Sequence, residues 1–322
     1  MENILITGIT GQDGIFLTHK LIKQNKNFSI IGISRQKDYL PFYNKLKLLG
    51  TNDFSKIKIL HTDLTNKQAV DLLIKEVSPT RVFNLSGPSS VYESLNNPEN
   101  TNKLITGIFD NLTESLITYK NFCNFFQASS SEMLSGGQDG IIDENSEEKP
   151  NSPYAISKLN NHKKVLKLSD EFSWNIVSGI MFNHESEFRD SNYLTSKIIS
   201  GVNDINNNKL EFLDIGSIDY MRDWCFAGDV MDAAIKLSFG NAKGSYIIGS
   251  GNGHTIQEIL EIVFGSYNLN WKKYVSVDKN LLRKGDPKIK IANPKKIYHE
   301  FGWEAETSFF DLIMRCVNKN IQ

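Results

Sequence analysis

Asn3-Ile-Leu-Ile-Thr7-Gly8-Ile9-Thr10-Gly11-Gln12-Asp13-Gly14 decides the fold. A short aliphatic run of strand character stops at a cluster of three glycines, and an amphipathic stretch of helical character follows at once. In that context the glycines have separate tasks: one for the tight turn, one to let a pyrophosphate approach the backbone, one to pack the helix on the strand. The free N-terminus of the helix then faces the phosphates. Gly8, Thr10, Gly11, Gln12, Asp13 and Gly14 are therefore candidate dinucleotide-binding residues.

Outward from this loop, β-branched and aromatic runs alternate with amphipathic stretches. The runs Asn3–Gly8, Phe28–Ser34, Ile57–Thr62, Arg81–Leu85, Phe122–Ala128 and Asn175–Phe182 read as strands. The stretches near 15–25, 66–77, 100–119 and 153–171 read as helices. This alternation predicts an α/β fold, a Rossmann-type doubly wound parallel sheet, followed by a smaller C-terminal substrate-binding lobe. The expected division is 1–182 for the cofactor domain and 183–322 for the lobe, with some segments of the second returning to the first. Within the lobe, Lys209–Leu213 reads as a strand and 229–239, 255–265 and 307–320 as helices. At the end of the second strand the usual ribose-binding acid is replaced by Ser34-Arg35. An arginine there pairs with a 2′-phosphate, which favours NADP over NAD. Asp63, after the third strand, either caps the next helix or meets the adenine. Leu64 and Leu85 complete the expected cofactor rim.

Lys plus Arg (36) nearly cancel Asp plus Glu (37), so the whole-chain field gives no reason to expect nucleic acid or an acidic membrane surface as partner. The three cysteines, Cys123, Cys225 and Cys316, are widely spaced, which suggests neither a disulfide framework nor a thiolate zinc site. The six histidines lack paired ligand spacing, so no metal site is expected. No signal-like or membrane-spanning run is visible, and the expected location is the cytoplasm.

A second constellation carries chemistry. Ser152-Pro-Tyr154-Ala-Ile-Ser-Lys158 puts Tyr154 and Lys158 one helical turn apart on the same face. A neighbouring ammonium favours the phenolate, which would make Tyr154 a proton acceptor near neutral pH. Upstream, Gln127-Ala-Ser129-Ser130-Ser131-Glu132 places hydroxyls and a carboxylate at the carboxyl edge of the sheet, where open α/β sheets bind ligands. Together they supply one base for an alcohol proton and another for a carbon-bound proton.

These residues resemble the extended short-chain dehydrogenase/reductase family acting on nucleotide-diphosphate sugars, and within it the GDP-mannose 4,6-dehydratases. The resemblance rests on Gly8-Ile-Thr-Gly-Gln-Asp-Gly14, Gln127-Ala-Ser-Ser-Ser-Glu132 and Phe182-Asn-His-Glu-Ser186, and more weakly on Arg222-Asp-Trp224, His254-Thr-Ile256 and Gly302-Trp303. It implies that Tyr154, with Lys158 and Ser130, takes the proton of the sugar 4-hydroxyl while hydride passes from carbon 4 to NADP. Glu132 then removes the carbon-5 proton and helps the carbon-6 hydroxyl leave as water, and the stored hydride returns to carbon 6. It further implies that Ser89, Asn183, Lys197, Arg222 and Arg283 contact the nucleotide sugar, and that the chain forms a homodimer or homotetramer. Some positions depart from the family pattern: Pro88 and Ser90 stand for Gln and His, Glu187-Phe188-Arg189 for Pro-Arg-Arg, Ser196 for Arg, and Arg283-Lys-Gly-Asp286 for Arg-Pro-x-Glu. An epimerase, dehydrogenase or keto-reductase that stops at carbon 4 uses the same fold and remains a second reading. A catalytically inactive nucleotide-binding relative is a third.

Overall fold

Ile4, Leu5 and Ile6 are all fully buried, as a parallel strand covered by helices on both faces requires. The computed structural model describes residues 2–24, 26–282 and 285–321. Its central sheet has seven parallel strands: β1 (Glu2–Thr7), β2 (Phe28–Ser34), β3 (Ile57–His61), β4 (Arg81–Asn84), β5 (Asn124–Ser130), β6 (Ile176–Met181) and β7 (Gly244–Ile248). They lie in the order β7-β6-β5-β4-β1-β2-β3, with β1 flanked by β4 and β2. That order is the dinucleotide-binding one, and its switch point falls between β1 and β4.

Alternation along β1 divides the core. Ile4 and Ile6 pack with α1 (Gln12–Lys23), and Leu5 faces the opposite layer with α2 (Lys67–Val77) and α3 (Ile108–Thr118). Each such aliphatic side chain contributes roughly 2 kcal/mol when fully buried. α4 (Pro153–Phe172) joins the α2 and α3 layer through Val165, while α5 (Ala227–Phe239) packs beside α1. Ser152 caps α4, its hydroxyl accepting the Ala155 N–H at 3.1 Å, and Pro153 at the first turn donates nothing that would be missed.

Three differences from the sequence reading have physical causes. The stretch read as one helix over 100–119 is broken: Pro98–Asn102 runs into a π turn at Lys103–Gly107 and then α3, and a separate short helix at Val91–Asn96 comes first. Ser90 starts the first piece, its hydroxyl accepting the Glu93 N–H, and Pro98 opens a new helix because its ring cannot sit inside the old one. β5 starts and ends two residues later than read, which draws Ser129 and Ser130 into the strand. β7 was not anticipated: Gly244-Ser-Tyr-Ile-Ile248 follows α5 as an ordinary strand-after-helix and pairs with β6.

Beyond β6 a second sheet forms from Asn183–Glu185, Met221–Phe226, Ile289–Ala292 and Ile141–Ile142, with Gly253–Thr255 antiparallel to Met221–Phe226. Asp223 binds it together. Its carboxylate accepts N–H groups from Ser250, Gly251 and Ala292 and the Ser250 hydroxyl. No helix among the described residues is long and apolar enough to cross a membrane.

Candidate active site

The carboxyl ends of β1, β4 and β5 are tied by a buried polar chain. Thr7 donates to Asn84 at 2.7 Å, and Asn84 donates to Gln127 at 2.8 Å. The Thr7 hydroxyl also accepts the N–H groups of Leu85 and Ser86, so the turn after β4 is held against the glycine loop. Because every partner is satisfied, this network specifies the geometry of the rim.

The glycine loop fits a dinucleotide. Gly8 lies at φ +69°, and a Cβ there would come within 3.0 Å of the Leu85 carbonyl oxygen. A Cβ on Gly14 would sit 2.4 Å from the Ile9 carbonyl oxygen, so only glycine lets α1 approach β1 this closely. Gly11 stands at the N-cap of α1 and no side chain caps it, which leaves the first-turn N–H groups available to an anion. Thr10 contacts Ser34 at 3.1 Å, and Ser34 accepts the Gln36 N–H, so the second strand end is closed by hydroxyls. Arg35 is exposed beside it. Asp63 forms a turn of its own, accepting the N–H and hydroxyl of Thr65; the helix cap is Asn66. Those two bonds hold the Asp63 carboxyl below its usual range, with Lys103 and Arg35 adding to them. Leu64 is buried, its carbonyl receiving Asn111.

Asp13 and Gln12 reach across to the second sheet. Gln12 accepts the Ser186 hydroxyl at 2.7 Å, and the His184 ring stands 3.1 Å from Asp13. Burial pushes the Asp13 carboxyl up, but His184 outweighs it and the group ends low; the same pairing overcomes burial to hold His184 above its ordinary value.

Ser130, Glu132, Tyr154 and Lys158 converge at the end of β5 and the start of α4. The Ser130 hydroxyl accepts the Glu132 N–H at 3.2 Å and also acts on the Tyr154 phenol. Lys158 donates to the Ala128 carbonyl at 2.8 Å, its ammonium 5.6 Å from the Tyr154 ring centre. Against the expectation drawn from Lys158, the Tyr154 phenol is raised, not lowered. Burial pushes the phenol up, Ser130 opposes this, and the Glu132 charge adds to it. Burial also pushes Lys158 down to about 8, against the pull of Asp13.

The opposite wall consists of ion pairs. Lys290 meets Glu132 at 3.0 Å and Arg222 meets Asp286 at 3.0 Å. Arg222 also donates to the carbonyls of Met221 and Lys288 and lies buried. Asn183 is half-buried on the strand beside Met221–Phe226, whereas Lys197 is exposed on the helix Leu194–Asn206. Ser89 is exposed and bonded to the Tyr193 hydroxyl at 2.6 Å, and the Arg189 guanidinium stacks 3.5 Å from that tyrosine ring. Arg283 lies outside the described residues. Sequence reasoning missed Lys290, Tyr193 and Arg189 as site residues: the first two belong to no quoted motif, and the third was visible only inside a departure from one. Among the described residues no three His, Cys, Asp or Glu side chains group as a metal site.

The family model for GDP-mannose 4,6 dehydratase matches residues 5–316. The GDP-mannose 4,6 dehydratase 2 of Arabidopsis thaliana is 30% identical over 332 residues, covering 99% of this chain and 86% of that protein. Among solved structures, the dTDP-glucose 4,6-dehydratase of Bacillus anthracis in complex with NAD superposes with a TM-score of 0.83 at 21% identity, covering 100% of this chain and 97% of the other. RMD from Pseudomonas aeruginosa complexed with NADPH gives 0.81 at 18% identity, covering 99% and 98%. At these identities the structural matches establish the fold, a doubly wound α/β sheet, while the match to the family model over nearly the whole length establishes descent. The chain belongs to the GDP-mannose 4,6-dehydratase family.

Proposed function

We propose that this protein is a nucleotide-sugar 4,6-dehydratase that converts GDP-mannose or a related GDP-sugar to its 4-keto-6-deoxy product. The observation that carries the reading is the convergence of Ser130, Glu132, Tyr154 and Lys158 at the carboxyl edge of the sheet, with Lys158 in the electrostatic reach of Asp13 from the glycine loop. A carbon-4 oxidation needs one base for a hydroxyl proton, and the dehydration that follows needs a second for a carbon-bound proton. Tyr154 and Glu132 fill the two roles.

The residues of the glycine loop fit a nicotinamide dinucleotide: Gly8, Thr10, Gly11, Gln12, Asp13 and Gly14 at the pyrophosphate, Asp63 and Leu64 at the adenine, Leu85 at the β4 rim. Exposed Arg35 favours the 2′-phosphate of NADP. A nicotinamide bound there would supply the hydride acceptor for oxidation at carbon 4 and the hydride donor for reduction at carbon 6. Tyr154 takes the 4-hydroxyl proton, Ser130 orients that hydroxyl, and Lys158 lends charge once ligands exclude water. Glu132 takes the carbon-5 proton, acidified by the new ketone, and delivers it to the departing carbon-6 hydroxyl. Ser89, Asn183, Lys197, Arg222 and Arg283 would contact the nucleotide sugar. On this reading residues 1–182 hold the cofactor, 183–322 select the sugar nucleotide, and β7 and α5 return to the first unit. A cytoplasmic homodimer or homotetramer matches it.

Incubation with GDP-mannose and NADP, followed by weighing the product, tests the proposal. Loss of one water supports it; an unchanged mass with an inverted carbon 4 means epimerisation, and no change with bound nucleotide means an inactive relative. A Glu132→Gln variant that dehydrates at the parental rate removes the assigned role.

A further inference from the structure

Glu132 is fixed at both ends. Its N–H is bonded to the Ser130 hydroxyl, and its carboxylate meets Lys290, which reaches in from the second sheet. Lys290 is only 5% exposed. It sits directly beside Arg222 in the strand register, and each cation has its own acid, Glu132 for the lysine and Asp286 for the arginine. A buried ion pair is a poor device for stability, because desolvation offsets most of the attraction and an apolar pair of similar volume serves as well or better. The placing of a lysine here therefore calls for another account, and the group it touches is the one assigned to the carbon-5 proton.

We propose that Lys290 is a positioning residue for the dehydration half of the reaction: its ammonium aims the Glu132 carboxylate and assists that carboxyl in giving up its proton. The inference rests on the dehydratase reading. In the first step the carbon-5 C–H bond breaks, its proton passes to a Glu132 oxygen, and the electron pair enters the enolate of the 4-ketone. In the second the C6–O bond breaks, and the departing hydroxyl leaves as water with the proton Glu132 carried. Lys290 transfers nothing. Its positive charge beside a protonated carboxyl favours release of that proton, so it assists the second step, while carbon-4 oxidation by Tyr154 proceeds without it. A residue that acted only by packing would slow both halves alike.

Lys290→Met, Lys290→Gln and Lys290→Arg separate these cases. For the two neutral variants, GDP-mannose affinity by calorimetry on the NADP-loaded enzyme is expected to stay within about two-fold. Product formation is expected to fall by about 30-fold or more, with reduced nicotinamide, read by its absorbance, building up in a single turnover. Lys290→Arg keeps the charge and is expected to recover most of the rate. If Lys290→Met does not fold, Lys290→Gln, similar in length and neutral, is judged by the same criteria. Water loss at the parental rate in a folded neutral variant overturns the proposal, as does an equal loss of carbon-4 oxidation and dehydration, or an arginine variant no better than the neutral ones. A parental enzyme that takes no water from GDP-mannose defeats the dehydratase reading instead, and is recognised before any variant is made.

Discussion

The two walls of the site are built on opposite principles. One is backbone: Gly8 and Gly14 leave room that any side chain would fill, and the loop touches Leu85 directly. The other is charge: Lys290 with Glu132, and Arg222 with Asp286, each a buried cation on a half-buried acid and each assembled from distant parts of the chain. The first wall depends on the absence of atoms and the second on pairs that balance each other. A cofactor wall made of backbone binds any dinucleotide of the right shape, whereas a wall of paired charges is sensitive to which substrate groups enter beside it.

This contrast can be broken at several points. The largest expected effect lies where the walls meet: Tyr154→Phe removes the proposed proton acceptor, and turnover measured by product mass is expected to fall by about 10²–10⁴ with substrate affinity little changed. On the charged wall, Arg222→Met removes the cation beside Asp286 and the hydrogen bonds to two carbonyls. Urea unfolding is expected to report a loss of about 3 kcal/mol, most of which returns in a variant that also replaces Asp286 by an apolar residue. On the backbone wall, Gly14→Ala pushes a methyl against the Ile9 carbonyl; overpacking of this kind costs about 1–3 kcal/mol, and the variant is expected to bind dinucleotide more weakly in a thermal-shift titration.

The His184–Asp13 pair gives a smaller effect with a definite sign. His184 is held above its ordinary 6.5, so its contribution is fully present below that pH and is lost as pH rises through the raised value; Asp13, held below 3.8, contributes above 3.8 and loses this only in acid. The melting difference between the parental chain and His184→Gln is therefore expected to be greatest near pH 5–6 and to shrink above neutrality, as a pH series of thermal scans would read. Smallest is Arg35→Ala: if this arginine meets a 2′-phosphate as proposed, the variant is expected to weaken NADP relative to NAD by about ten-fold without changing stability.

What the sequence made legible follows the same division. The glycine loop occupies seven consecutive residues, so its spacing and the strand before it were readable locally, as was the Tyr154–Lys158 pair on one helical face. Strands β1, β2 and β6 carried near-continuous apolar runs of the kind a doubly covered sheet demands. Lys290 and Glu132 are 158 positions apart, and nothing in the run Ile289-Lys-Ile-Ala292 announces a partner in another sheet. The same is true of Tyr193 on Ser89: a hydroxyl pair across the site mouth is a product of the fold and leaves no local period. The break inside 100–119 was concealed differently, since only the π turn at Lys103–Gly107 interrupts it.

The late return of β7 bears on how the chain is made. β6 is buried along its whole length and offers its outer edge to β7, which is encoded more than sixty residues downstream. During synthesis at about 5–20 residues per second, that edge stands open for on the order of 3–13 s after β6 emerges. An open, apolar edge strand is a template for pairing with another nascent chain. The C-terminal half thus closes the sheet of the first, and a chain stopped after residue 182 carries the same hazard permanently.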